Sequence, residues 1–429
     1  MRPLSCLALL LLGLWASPAA QAQLRGHGGP VRALAVAADG TVAVSGSFDQ
    51  SAIRWSLTRN AAEQVLRFHE GAVNAVAILP DGRFATGGED GKIAIWQPGQ
   101  SEPVRQLLGH SGPVSALAVS PDGQTLASAS WDRTVRIWPR DGGAAVVREG
   151  HQDNVNGVAF TPDGRAVVSA GYDATVRIWP LHSNAASTVR TLPSPLNAVA
   201  VAADGEIVVA GADGQVRFLG PDGAARAAVE IGPSPVIALA LSRNGASVAA
   251  SGIRGAVAVI SRAERVVTRT LVGPGLPVWS LAFGRDDATL FSGGTDRMVR
   301  RWNAATGEHL GGVAMNAADD PLAAYAGDRG AEVFRACIAC HTLSPDAGNR
   351  AGPTLAGIFG RKIATLPGYN FSPALRNMDI VWTPETVAKL FEVGPATYTP
   401  GTKMPEQRIT AAADREALVR FLEKATAPR

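Results

Sequence analysis

Cysteine is nearly absent from this 429-residue chain, which has three: Cys6, Cys337 and Cys340. So sparse a set excludes a disulfide-stapled scaffold. A strong charge of one sign is missing too. A formal net charge of +3 over this length gives no basis for a nucleic-acid or anionic-membrane partner. Long apolar runs are also lacking: Leu4 to Trp15 offers about twelve residues, where a membrane-spanning helix needs roughly 20. No long low-complexity tract interrupts the chain. With 46% hydrophobic residues the composition is globular, and the length points to two domains.

The N-terminus reads as an export signal. Arg2 supplies a positive start, Leu4 to Trp15 the apolar core, and Ala20-Gln21-Ala22 an A-x-A cleavage site. Residues 1–22 are expected to be removed, leaving a periplasmic chain from Gln23 with no membrane span. Cleavage also removes Cys6, so Cys337 and Cys340 become the two thiols of the mature chain and share one task.

One unit recurs from Gly26 to about Ala314. Four copies end in Ser47 to Trp55, Asp90 to Trp96, Trp131 to Trp138 and Tyr172 to Trp179, and a later one in Thr295 to Trp302. Two worn copies between them end at Leu219 and Ile260, so the seven end positions lie 40 to 42 residues apart. Within each unit, alternating stretches such as Val114 to Val119 are separated by turns such as Ser120-Pro-Asp-Gly123. Period-two alternation between such turns predicts antiparallel strands. A repeat of this length, with Gly-His near its start and Trp at its end, resembles WD40. Seven copies imply an all-β seven-bladed β-propeller over residues 23–314, each blade a four-stranded sheet.

Four copies carry a His (His27, His69, His110, His151), a Ser or Thr (Ser45, Thr86, Ser128, Ser169), an Asp and the final Trp. The resemblance implies that each set forms a hydrogen-bonded chain inside its blade. Copies five and six lose the set together. Leu192 and Gly232 replace the His, Val209 and Ala250 the Ser, and Leu219 and Ile260 the Trp. Loss as a unit is what a buried network predicts, because a half-satisfied one costs more than none. Copy seven keeps Ser292, Asp296 and Trp302 but has Pro274 at the His position. The repeat thus accounts for its four histidines, and His182 and His309 fall in predicted loops. For ring closure, Glu308 to Ala314 is favoured as the outer strand of the last blade, with Leu24-Arg25 as the alternative.

After a short linker, 315–326, the pattern changes to helices over Asp328 to Ala339, Thr383 to Val393 and Ala411 to Ala425. The first leads into Cys337-Ile-Ala-Cys340-His341. Two thiols on one turn can reach the two vinyl groups of a haem while the next His reaches its iron, and this spacing is the haem c attachment motif. A thioredoxin-like pair wants a βαβ context, which is absent, and a zinc site wants two more ligands.

Further motifs follow in order: Arg350-Ala-Gly-Pro353-Thr-Leu-Ala-Gly357, Arg361-Lys362, Pro367-Gly-Tyr369, Trp382-Thr-Pro-Glu385 and Tyr398-Thr-Pro-Gly-Thr402-Lys403-Met404. Together they resemble mitochondrial cytochrome c and bacterial cytochrome c2, an all-α class I domain over 327–429. The resemblance implies one covalent haem c, His341 and Met404 as axial metal ligands, and the Pro353 carbonyl orienting the His341 ring. It further implies haem-propionate contacts from Arg361, Trp382 and Thr402, and packing of Gly330 and Phe334 against Phe421. Phe371, Phe391 and Leu375 stand where the family usually has polar groups. Lysines are few, the domain having Lys362, Lys389, Lys403 and Lys424.

An iron held by His and Met has no open position, which favours outer-sphere one-electron transfer. The sequence therefore reads as a periplasmic electron carrier whose propeller docks a redox protein partner, with no catalytic residues at the iron. The alternative is a propeller-containing oxidoreductase in which the cytochrome domain feeds electrons to a second active site.

Overall fold

Alternation in the repeat becomes seven four-stranded antiparallel sheets. The computed structural model describes residues 23–310 and 322–427, except for Asn184, Pro274, Ala336, Ala339, 346–348, 350–351, Asn370, Lys403 and 405–406. The expected signal segment lies outside these residues, as do 315–321 of the expected linker. In blade one the strands run Val31–Val36, Val42–Ser47, Ser51–Ser56 and Ala61–Arg67, and they pair in sequence order. The same meander repeats in the next five blades. Second strands are buried almost throughout, as at Phe84–Gly88 and Ile207–Gly211, because neighbouring blades cover both their faces.

The polar sets join as expected. In blade one, His27 lies 3.0 Å from Asp49 through Nδ1 and 2.8 Å from Ser45 Oγ through Nε2, and Trp55 donates its indole N–H to Ser45 at 2.7 Å. His69, His110 and His151 repeat this with Asp90, Asp132 and Asp173 and with Thr86, Ser128 and Ser169, while Trp96, Trp138 and Trp179 close the chains. Every contact is satisfied when the ring donates from Nδ1 to the carboxylate and accepts the hydroxyl hydrogen at Nε2. In blades five and six the Ser and Trp positions are apolar and sealed: Val209, Leu219, Ala250 and Ile260 are at most 1% exposed. The set is not lost whole in blade five, where Asp213 remains and pairs with Arg217. Blade seven keeps the Trp302–Ser292 bond at 2.8 Å, while Asp296 turns to Arg300.

Ring closure corrects the sequence expectation. The outer strand of the last blade comes from the N-terminal side: Leu24 pairs with Val299 and Arg25 with Met298. Gln23 Oε1 accepts from the Arg301 N–H at 3.0 Å, and Leu24 is buried among Val31, Phe291 and Val299. Glu308–Leu310 contributes a single bridge, Trp302 to His309, where the two rings lie 3.7 Å apart. The two segments divide the edge: Leu24 and Arg25 face Val299 and Met298, while the Asn303 N–H donates to the Glu308 carbonyl and the Leu310 N–H to the Arg301 carbonyl. Residues 311–314 lie outside the described set.

The C-terminal helices are α1 (Arg329–Phe334), α2 (Pro373–Arg376), α3 (Pro384–Val393), α4 (Pro395–Tyr398) and α5 (Ala412–Ala425). Asp328 caps α1, and Thr383 with Thr386 forms a capping box on α3. Helix α1 is shorter than expected, because after Phe334 the chain tightens into turns. Helices α1 and α5 cross closely at Gly330, where a Cβ would lie 2.1 Å from the Ala417 carbonyl oxygen. The Phe334 and Phe421 rings are 5.4 Å apart beside this crossing. Leu322 and Tyr325, assigned to the linker on sequence, also pack into this core. Among the described residues no helix is long and apolar enough to cross a membrane.

Ser128→Ala leaves the buried Trp138 indole N–H and the His110 ring nitrogen without their shared partner. A loss of about 1–3 kcal/mol is expected in urea titrations followed by tryptophan fluorescence. The pH dependence has a definite sign. Burial pushes the Asp49, Asp90, Asp132 and Asp173 carboxyls up, but hydrogen bonds from the histidine rings, hydroxyls and backbone N–H groups more than offset it and hold all four below the usual range. Their contribution is present in full above an unfolded-state pKa of about 3.9 and is lost as pH falls through the depressed folded values. The urea midpoint should therefore drop on acidification below about pH 4.

Candidate functional site

The turn after α1 is built by three backbone bonds: Cys337 N–H to the Phe334 carbonyl, and Cys340 and His341 N–H to the Cys337 carbonyl. It places both thiols and the imidazole at one end of the helix. The two cysteines form no disulfide, and both are 7% exposed. Burial raises the Cys337 thiol to about 12, so it stays protonated and is a poor redox nucleophile. The His341 ring donates from Nδ1 to the Pro353 carbonyl at 2.7 Å, which leaves Nε2 with its lone pair and no partner among the described residues. Burial also lowers the ring's pKa, with the Pro353 bond opposing, and this favours the neutral, ligand-competent form.

The segment that carries Pro353 is pinned. Gly352 N–H donates to the Cys340 carbonyl and Leu355 N–H to that of Thr342, at 2.8 and 2.9 Å. Asn349 accepts from Thr354 N–H and donates to the Gly368 carbonyl. Gly352 lies so close to the imidazole that a Cβ there would be 2.4 Å from His341 Cε1. Only glycine lets the backbone approach the ring to hydrogen-bonding distance.

Opposite elements bring the remaining residues. Cys337, Cys340, His341, Pro353, Arg361, Trp382, Thr402 and Met404 all line a single cleft with about 1240 Å³ of empty space, counting the part open to solvent. Its size is ample for a large planar ligand. Thr402 Oγ1 accepts from the Met404 N–H at 3.2 Å. Two Arg361 N–H groups go to the Ala356 and Thr354 carbonyls, so its guanidinium is anchored to backbone at the cleft wall. The Trp382 indole N–H has no partner among the described residues. Phe371, Phe391 and Leu375 also line the cleft, which makes it apolar where the resemblance would have placed polar groups. Tyr369 packs 4.7 Å from Phe371, and burial, with Cys340 adding to it, raises its phenol to about 12.

Residues 327–426 match the family model described as cytochrome c. Over 99 residues the chain is 38% identical to a cytochrome c of Sesamum indicum, covering 23% of this chain and 88% of the relative. The chain belongs to the cytochrome c family. A cytochrome c type-1 of Ascaris suum is 40% identical over 100 residues, covering 23% of this chain and 86% of the relative. A cytochrome c2 of Blastochloris viridis is 42% identical over 84 residues, covering 20% and 65%. The WD domain, G-beta repeat model matches 19–56, 61–97, 101–139, 145–180 and 265–303. These matches leave out 181–264, which holds blade five and the first three strands of blade six, where the Ser and Trp of the polar set are replaced by apolar side chains.

A cytochrome c domain implies haem c, and the residues present fit one. Two thiols and a histidine nitrogen sit on one turn, a methionine lines the same cleft, and the walls are apolar. Among the described residues no group of three or more His, Cys, Asp or Glu side chains is placed to hold an ion. Sequence reasoning missed Val65 and Arg67 of the propeller and Gln407. Val65 lines the cleft. Arg67 Nη1 donates to the Met404 carbonyl at 2.7 Å, and Gln407 Nε2 to the Gly26 carbonyl at 3.0 Å. Contacts between residues more than 300 positions apart leave no periodicity or motif in the sequence.

Gly330→Ala would force α1 away from α5, since the added methyl meets backbone. We expect a loss of about 1–3 kcal/mol, as for overpacking, read as earlier thermal unfolding of the helical domain with the propeller transition unchanged.

Proposed function

We propose that the protein is a periplasmic one-electron carrier whose propeller docks a redox protein partner. In this reading residues 1–22 are cleaved on export, and residues 327–429 form an all-α class I cytochrome with one haem c. Cys337 and Cys340 would hold the haem covalently, His341 and Met404 would ligate its iron, and Arg361, Trp382 and Thr402 would meet its propionates. The observation that carries the reading is the 2.7 Å bond from His341 Nδ1 to Pro353. It fixes the tautomer that presents Nε2 as a ligand, within a cleft that Met404 also lines.

When bound, the haem supplies reversible one-electron chemistry between ferric and ferrous iron. The chain's own residues do the rest. Pro353 keeps the imidazole oriented, and Gly352 leaves room for it. Leu390, Phe391 and Leu418 keep water from the cleft, and an apolar surround favours the state of lower charge. With two protein ligands the iron offers no place for a substrate, so the domain exchanges electrons only.

The docking role is supported by the propeller's central opening. Arg32, Trp131, Asn156, Tyr172, Asn197 and Trp279 line a recess there, and Trp131 and Tyr172 are each 47% exposed. Exposed aromatic and arginine side chains are the residues that dominate protein interfaces.

The protein purified from the periplasmic fraction should give one haem c per chain in a pyridine haemochrome assay. Its ferric spectrum should contain an iron–methionine charge-transfer band that Met404→Ala abolishes without releasing the haem. A second cofactor in the purified chain, or a haem lost on acid–acetone extraction, would overturn the reading.

A further inference from the structure

Among its described residues the loop that carries Met404 is held by individual hydrogen bonds: toward its far end Arg408 Nε donates to the Glu392 carbonyl, and Arg415 Nη1 to the Ile409 and Thr410 carbonyls. Among the described residues Met404 has two hydrogen bonds. One, from its N–H to Thr402 Oγ1, comes from a residue two positions away in the same loop. The other comes from the propeller, where the Arg67 guanidinium donates to the Met404 carbonyl at 2.7 Å. Thr402 to Thr410 contains no helix or strand among its described residues, and Ile409 N–H to the Phe391 carbonyl ties down its far end.

Arg67 is well placed to anchor this loop. It ends the outer strand of blade one, Ala61–Arg67, and pairs there with Ser51, so its backbone is part of a rigid sheet. Two further contacts bring the same region of the propeller to the cleft. Val65, two residues back on that strand, lines the cleft and shares an apolar cluster with Leu24, Trp55 and Cys340. Gln407, three residues beyond Met404, donates to the Gly26 carbonyl at 3.0 Å, and its Oε1 lies 3.9 Å from Cys337 Sγ. The propeller therefore packs against Cys340 and bonds to this loop at Met404 and at Gln407.

A carbonyl that accepts from a guanidinium is held more firmly than one that accepts from a neutral donor. Where the loop has little secondary structure, its opening is governed by such individual bonds. We propose that Arg67 is a positioning residue for Met404: the propeller clamps the loop that presents the distal haem ligand. The inference rests on Met404 being that ligand. It makes the propeller part of the redox centre's scaffold, and not only a docking platform. Arg67 acts through the backbone of Met404, and the thioether itself needs no contact with the propeller.

Imidazole reports directly on the clamp, because it binds the ferric iron only after methionine has left. The full-length holoprotein would be titrated with imidazole while the iron–methionine band is followed, using the parent, Arg67→Ala and Arg67→Lys. Arg67→Ala should bind imidazole about tenfold more tightly, a change of about 1.4 kcal/mol. Arg67→Lys, which keeps a charged donor but not the planar fork, should fall between the two. Far-UV circular dichroism and haem content should match the parent in both variants. Equal imidazole affinity in the parent and Arg67→Ala, with the band present in both, would overturn the clamp alone. Absence of the band from the parent would overturn the ligand assignment and the clamp with it.

Discussion

A four-stranded blade has two apolar faces and cannot bury both by itself. Every other feature of the propeller follows from that constraint. Each blade must lie between two neighbours, so the chain has to bend into a closed ring, and the ring has to be fastened. The sealed second strands show the effect, since Ala85, Ala127, Val168, Val209 and Ala249 are all inaccessible to solvent. Interiors this dense leave the polar repeat residues only one option, which is to satisfy one another. The His–Ser–Trp–Asp chains of blades one to four do so. Blades five and six reach the same closure by replacing the His, Ser and Trp, so that the neighbours of Leu219 and Ile260 are apolar, while the Asp213 that remains in blade five pairs with Arg217.

Much of this was legible in the sequence, because the signals were local and repeated. Trp at intervals of about 40 residues, Pro-Asp-Gly turns and coincident His and Ser positions need no tertiary knowledge. The attachment motif was legible for the same reason: two thiols and an imidazole within five residues define their own geometry. Met404, Pro353, Arg361, Trp382 and Thr402 were found through resemblance, and the structure brings all of them to the wall of one cleft. What stayed hidden was set by competition or distance. For ring closure, Leu24-Arg25 and the segment after Asn303 are both compatible with a strand, and only the assembled blade shows that they take different stretches of its outer edge. The end of α1 at Phe334 depended on the turn that the two cysteines require, against a helical pattern that runs on. Arg67 and Gln407 carry no signal at all until the two halves of the chain are placed side by side.

The contact between the halves changes how the site should be viewed. Gly352 and Pro353 order the imidazole from within the helical domain, through bonds between residues close in sequence. The loop on the other side of the cleft accepts a hydrogen bond from Arg67 of blade one. The imidazole is therefore held by residues near it in sequence, and the Met404 carbonyl through tertiary assembly. A cytochrome domain cut from this protein would keep its attachment turn and its α1–α5 crossing, but would lose the outer support of the Met404 loop.

Closure by Leu24-Arg25 has a consequence for biogenesis. The fastening strand starts at Leu24, yet its partner strand, Met298–Asn303, is made more than 270 residues later. The first strand of the ring thus remains unpaired until nearly the whole propeller has been synthesised, and the ring is completed by its oldest part.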